Sequence, residues 1–192
     1  IFFMKNFTLN LISLSIGAFI SLNASGQYCV AGPSSTFDSN VESALLTGET
    51  TSINYTGCPG IAGVEDQTTL SADLKTGFVY TASIYYGTCG NNYSGGGEAW
   101  IDFNGDGVFD ASESIGSSTG TPGTAPRDAP IDFTFTVPVT ATLGTTGMRV
   151  MQQEGSGGSP PLNPCGTFTW GSVVDFTIDI SYGTTCAGVT GL

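Results

Sequence analysis

Three segments of this chain alternate apolar and polar residues with a period of two, and that pattern constrains the backbone more tightly than any other feature. In Phe78-Val79-Tyr80-Thr81-Ala82-Ser83-Ile84-Tyr85-Tyr86 the even positions are the more apolar set. Ile131-Asp132-Phe133-Thr134-Phe135-Thr136-Val137 turns its odd positions inward, and Val174-Asp175-Phe176-Thr177-Ile178-Asp179-Ile180 its even ones. Successive side chains on a strand point to opposite faces, so each segment reads as a strand with one face on a core and one toward water, the habit of antiparallel sheets. Shorter runs at 41–46, 52–55, 69–74, 99–103 and 148–152 bring the expectation to about eight turn-separated strands. No window of a dozen residues shows helical periodicity with caps. The predicted fold is all-β, a jelly-roll-like antiparallel sandwich of two sheets.

Composition removes several functions. The 192 residues include no histidine, which excludes Ser-His-Asp and Cys-His catalysis, histidine-bound zinc and imidazole proton shuttles. Four Lys and Arg stand against 16 Asp and Glu, a formal charge of -12, so nucleic-acid phosphate and anionic lipid would be repelled. The 28 glycines concentrate in stretches such as 90–97, 116–127 and 155–161, which read as surface connections.

Residues 1–26 read as a signal peptide, with the residues before Met4 an over-extended reading frame. Lys5 is followed by an apolar run from Phe7 to Ile20, too short to span a bilayer comfortably, and then by small residues, with Ala24 and Gly26 suited to a peptidase site. No other stretch is long and apolar enough to be a transmembrane segment. The expected location is secreted or on a bacterial cell surface. In that oxidising setting Cys29, Cys58, Cys89 and Cys165 are expected to form disulfides, and pairing of sequence neighbours favours Cys29–Cys58 and Cys89–Cys165. Cys186 is then odd, free or paired outside the chain.

The sharpest chemical signal is Asp102-Phe103-Asn104-Gly105-Asp106-Gly107-Val108-Phe109-Asp110-Ala111-Ser112-Glu113. Oxygen-bearing side chains fall at the first, third, fifth, ninth and twelfth places, glycine at the sixth, and the Val108 carbonyl at the seventh. This is calcium-loop spacing: a hard divalent ion takes oxygen ligands, and calcium tolerates the irregular coordination of a folded-over loop. Glu98-Ala99-Trp100-Ile101 before the loop reads as a strand and Ser114-Ile115-Gly116 after it offers no helix, which predicts a calcium loop joining two strands rather than two helices. The alternative is a solvated hairpin of Asx turns.

With the loop placed, the order of motifs resembles the GEVED domain family of secreted bacterial proteins. The resemblance runs over most of 28–182: Tyr28-Cys29, Gly77-Phe78-Val79-Tyr80-Thr81, Trp100 through Phe109 with Glu113, Thr136-Val137-Pro138, Gly147-Met148-Arg149-Val150, Pro164-Cys165-Gly166 and 171–177. The motif that names the family, Gly-Glu-Val-Glu-Asp-Tyr, stands here as Gly171-Ser172-Val173-Val174-Asp175-Phe176. Both glutamates are gone and Asp175 is kept, where it can pair with Arg149, approach the calcium site, or stay hydrated. The resemblance implies a GEVED-like sandwich over 27–182, a non-catalytic accessory module in exported proteins of Bacteroidota-like bacteria. Residues 183–192 read as a linker, and Thr184 to Leu192 resemble the entry to a fibronectin type III domain, implying further domains of the same polypeptide.

The function expected is therefore a non-catalytic calcium-binding interaction, adhesion or spacer module with an extracellular protein or glycan partner. Its rivals are a calcium-stabilised carbohydrate-binding module and an accessory domain of a secreted peptidase. Tyr93 and Trp170, in or beside glycine-rich loops, are the candidate ligand-binding aromatics, and Trp170, like Trp100, also fits plain packing.

Overall fold

The computed structural model describes residues 28–35, 39–57, 63–87 and 92–183. Their strands are β1 (Gly32–Pro33), β2 (Asn40–Thr47), β3 (Ser52–Thr56), β4 (Val64–Lys75), β5 (Val79–Gly87), β6 (Gly95–Ile101), β7 (Ser114–Gly120), β8 (Ile131–Thr136), β9 (Gly144–Glu154), β10 (Thr167–Phe168) and β11 (Gly171–Ser181). Single 3-10 turns occupy Ala111–Glu113 and Gly155–Gly157. The expected signal peptide, the linker beyond Gly183, Cys58, Cys89 and Cys186 lie outside the described residues.

One sheet has the order β3-β2-β5-β8 and the other β4-β11-β9-β6-β7. Their facing side chains interleave as the alternation requires: Tyr80, Ala82, Ile84 and Tyr86 of β5 and Phe133 and Phe135 of β8 share one core with Ala99, Met148, Val150, Val174, Phe176 and Ile178. Tyr55 of β3 meets Phe176 of β11 edge to face at 5.6 Å, tying sheet to sheet. The two-sheet sandwich is thus the observed fold. Antiparallel pairing holds within both sheets except at β4, which runs parallel to β11, and a short parallel pair, β1 with β10, lies outside them.

The five-stranded sheet is covered on both faces, which the alternation did not reveal. All seven residues of β6 are buried, and a second apolar cluster of Ala31, Trp100, Phe109, Met151, Leu162 and Val173 occupies its outer face. Residues 28–33 and 162–168 form that cover, held by Gly32 N donating to Gly166 O at 3.1 Å and Ser34 N to Phe168 O at 2.9 Å.

This cover corrects the cysteine pairing. Cys29 bonds to Cys165, with Cα atoms 5.4 Å apart and 136 residues between them in sequence, so neither Cys29–Cys58 nor Cys89–Cys165 forms. The parallel register Gly32↔Thr167 places Cys29 and Cys165, each a few residues upstream, side by side. A parallel neighbour is necessarily distant in sequence, and a preference for nearby partners fails for that reason.

Two glycine-rich segments read as connections also prove to be strand. Gly95–Gly97 belong to β6, where a side chain on Gly97 would run into the Tyr86 ring, so close approach rather than turning demands glycine there. Residues 114–120 form the edge strand β7, whose Ser, Thr and Gly residues pair on one side alone and show no apolar alternation beyond Ile115.

Candidate functional site

The acidic dodecapeptide connects β6 to β7, two antiparallel strands of the five-stranded sheet. Its backbone folds over its own side chains. Asp102 Oδ1 accepts from Gly105 N at 2.7 Å and its Oδ2 from Gly107 N at 3.0 Å. Asn104 Oδ1 accepts from Asp106 N, and Asp106 Oδ1 from Val108 N, each at 2.8 Å. Glu113 closes the loop, its Oε1 accepting from Asn104 N at 3.1 Å and its Oε2 from Asp110 N at 3.0 Å. Gly105 and Gly107 carry φ of +71° and +83°, a left-handed backbone that a β-carbon strains.

Burial divides the candidate ligands. Asp102 and Glu113 are 1% and 5% exposed, whereas Asn104, Asp106, Val108 and Asp110 face solvent. Burial pushes the Glu113 carboxyl up from its ordinary range, the N–H donors of Asp110 and Asn104 oppose that, and the nearby Asp102 charge adds to it. Neither buried carboxylate joins the two ion pairs among the described residues, Lys75 with Glu49 and Arg149 with Asp175. Also among the described residues, no three Asp, Glu, His or Cys side chains converge into a ready-made metal cage. The hydrogen bonds give the reason: the inner carboxylates are turned onto backbone N–H groups, and Asp106, at the exposed rim, onto Val108 N and the Asn104 amide. The Asx turns alone suit either reading of the loop. The donor chemistry fits a hard cation, with five oxygen-bearing side chains and one carbonyl on a single folded-over loop.

Behind the loop lies a support that motif spacing did not disclose. The Tyr28 hydroxyl donates to Asp102 Oδ2 at 2.8 Å and accepts from Gly147 N at 2.8 Å, and its ring stacks on Phe109 at 4.5 Å and 18°. Burial first, and the Asp102 charge with it, push this hydroxyl up to about 12, so at neutral pH it remains a donor. Arg149 crosses the same face. Its Nε and Nη2 grip Asp175 Oδ1 and Oδ2, both at 2.7 Å, and Nη1 donates to Cys29 O at 3.0 Å and Pro164 O at 2.7 Å. Its guanidinium lies 5.2 Å from the Phe109 ring centre. Asp175 therefore pairs with Arg149, one of the three options its sequence position allowed. The positions that hold glutamate in the family motif are Ser172 and Val174, both wholly buried here, Ser172 Oγ accepting from Val41 N at 2.8 Å.

A second locality gathers at the other end of β6. Tyr93 and Trp170, 52% and 51% exposed, line one cavity of about 520 Å³ together with Ser94, Glu154 and Gly155. It forms where β6 begins, β9 ends and β11 begins: Gly155 N donates to Ser94 O at 2.9 Å and Glu154 N to Trp170 O at 3.0 Å. Glu154 is 6% exposed and its Oε1 accepts from Ser39 N at 2.5 Å. The structure brings together the two aromatics singled out in the sequence, and adds Glu154, which no motif marked. Trp100, in contrast, is 1% exposed and packs in the outer cluster.

None of the curated proteins matches the chain. The sandwich draws on strands from both sides of residue 96, and the calcium-type loop, Arg149, Cys165 and Asp175 all fall after it. Residues 96–179, from the start of β6 nearly to the end of β11, match the family model of the GEVED domain.

Proposed function

We propose that this chain is a non-catalytic, calcium-binding interaction module of an exported or cell-surface multidomain protein. The observation that carries the reading is the pair of buried carboxylates, Asp102 and Glu113, closing one loop with no ion-paired cationic side chain among the described residues. Burying unpaired charge is costly, and a divalent ion answers that cost where no lysine or arginine does. The ion would be held by the side-chain oxygens of Asp102, Asn104, Asp106, Asp110 and Glu113 and by the Val108 carbonyl. When bound it supplies positive charge and cross-links the loop; it has no chemical step to perform. Calcium suits such a flexible all-oxygen set better than magnesium, which demands a tight octahedron.

Loop order matters because Phe109 and Asp102 are contacts of Tyr28, and through Tyr28, Arg149 and the Cys29–Cys165 bond the loop is continuous with the cover of the five-stranded sheet. The lack of histidine supports a binding rather than a catalytic role. Export is supported by the N-terminal charge and apolar pattern and by the disulfide. Service as an adhesion or spacer element beside further domains is part of the same proposal.

The test is isothermal titration with CaCl2, together with thermal melts in 2 mM calcium and in chelator. For a dissociation constant of about 10⁻⁴ to 10⁻³ M, calcium adds about 0.6–1.8 kcal/mol, a rise in melting temperature of roughly 1–7 °C. Asp106→Ala abolishes the calcium response, and its exposed bonds to Val108 N and the Asn104 amide lower the chelator melt by no more than about 4 °C. Silence in both assays overturns the proposal.

A further inference from the structure

From the cavity at the far end of β6 we infer a subsite for a neutral pyranoside of a glycan, stacked on Trp170 and Tyr93 and hydrogen-bonded to Glu154 and Ser94. The inference rests on the reading of the chain as an interaction module and names the ligand class of that role.

Trp170 and Tyr93 are large apolar side chains left about half exposed by a fold that buries Trp100, Tyr86 and Tyr55 almost completely. They lie 77 positions apart in sequence, yet β-strand register delivers both to one cavity. A volume of about 520 Å³ falls within the usual size of ligand sites. One face of a pyranose ring presents C–H groups that pack on an aromatic surface, while its rim of hydroxyls needs hydrogen-bond partners. Glu154 lines the cavity, and one carboxylate oxygen is held by Ser39 N; the proposal assigns the other oxygen to the sugar hydroxyls, because a carboxylate accepting from hydroxyls makes the stronger, charge-assisted kind of hydrogen bond.

Charge narrows the class further. Among the described residues, the cavity lining includes an acid and no lysine or arginine, in a chain of formal charge -12, which disfavours acidic sugars, phosphates and sulfates. A small ammonium group would be drawn to Glu154 and the rings, but it needs to be caged within about 6 Å of ring centres, and an open space of this size suits a sugar ring better.

The subsite is separate from the acidic loop. Ser94 precedes β6 and Asp102 follows it, eight residues along an extended strand or roughly 26 Å. Sugar binding is therefore expected to be indifferent to calcium while the fold is intact, and the two proposals fail independently: loss of the calcium response leaves the subsite standing, and loss of sugar binding leaves the calcium loop standing.

The experiment titrates the full chain with cello-, xylo-, malto-, manno- and chitotetraose by calorimetry, in 2 mM calcium and in chelator. The expected result is binding of at least one tetraose, equal in both buffers. Trp170→Ala and Tyr93→Ala each weaken it tenfold or more, with melting temperatures within about 2 °C of the parent because both rings are half exposed. Glu154→Gln, which keeps an acceptor for Ser39 N, weakens it about threefold to tenfold. The inference is overturned by absence of binding to all five in a chain that melts normally, by binding that survives both aromatic substitutions, or by Trp170-dependent binding of tetramethylammonium or a lysine peptide in place of any tetraose.

Discussion

Replacing Arg149 by methionine removes a guanidinium whose side chain is 4% exposed while keeping an unbranched apolar stem over Phe109. Five hydrogen bonds disappear: two to Asp175, one each to Cys29 O and Pro164 O, and a long one to Cys29 Sγ. Breaking a buried pair by removing one partner costs about 3–5 kcal/mol, because the remaining charge is stranded. Asp175 is 24% exposed, so water recovers part of that, but the two carbonyls under the cover lose a charged donor as well. The net expectation is a loss of about 3 kcal/mol. For a domain of this size that is a fall in melting temperature of roughly 6–12 °C. Asp175→Asn keeps the shape and one acceptor and costs about 1–2 kcal/mol. Urea denaturation of both single variants and the double variant closes the cycle, with an expected coupling of about 1–2 kcal/mol. If the two substitutions add to within about 0.4 kcal/mol, the bidentate pair does not organise this face and the reasoning is refuted.

Three other outcomes follow from the same face. Peptide mapping under non-reducing conditions recovers Cys29 linked to Cys165, and Cys165→Ser lowers stability by up to about 5 kcal/mol for a closure of 136 residues; a Cys29–Cys58 peptide would refute the pairing. Tyr28→Phe strands Gly147 N and leaves Asp102 Oδ2 with Gly107 N but without the Tyr28 hydroxyl, so it costs about 1–3 kcal/mol in chemical denaturation. If the loop holds calcium, the same change weakens calcium affinity about tenfold by titration, and unchanged affinity would remove Tyr28 from the support of the site. Gly107→Ala forces a β-carbon into φ of +83° and lowers stability by about 1–2 kcal/mol, measured by urea melts, whereas a neutral result would mean the loop adopts another turn.

Much of this protein was already written in local patterns. The inward faces of β5, β8 and β11 follow from period-two alternation, since a strand has two faces and a core claims one. The acidic loop was legible because the spacing of oxygen-bearing side chains within twelve consecutive residues is a property of the chain itself. β7 escaped notice because an edge strand rich in Ser, Thr and Gly carries no such alternation. Whatever depended on residues distant in sequence was decided in three dimensions. The outer cover of the five-stranded sheet, the Cys29–Cys165 bond, the grip of Arg149 on Asp175, Cys29 and Pro164, and the meeting of Tyr93, Glu154 and Trp170 all arise from pairing across β1–β10, β6–β9 and β9–β11. Periodicity tells which way a side chain points from its own strand. Only the packed sheet determines which other strand it meets, because register and layer order are set by burial summed over the whole core.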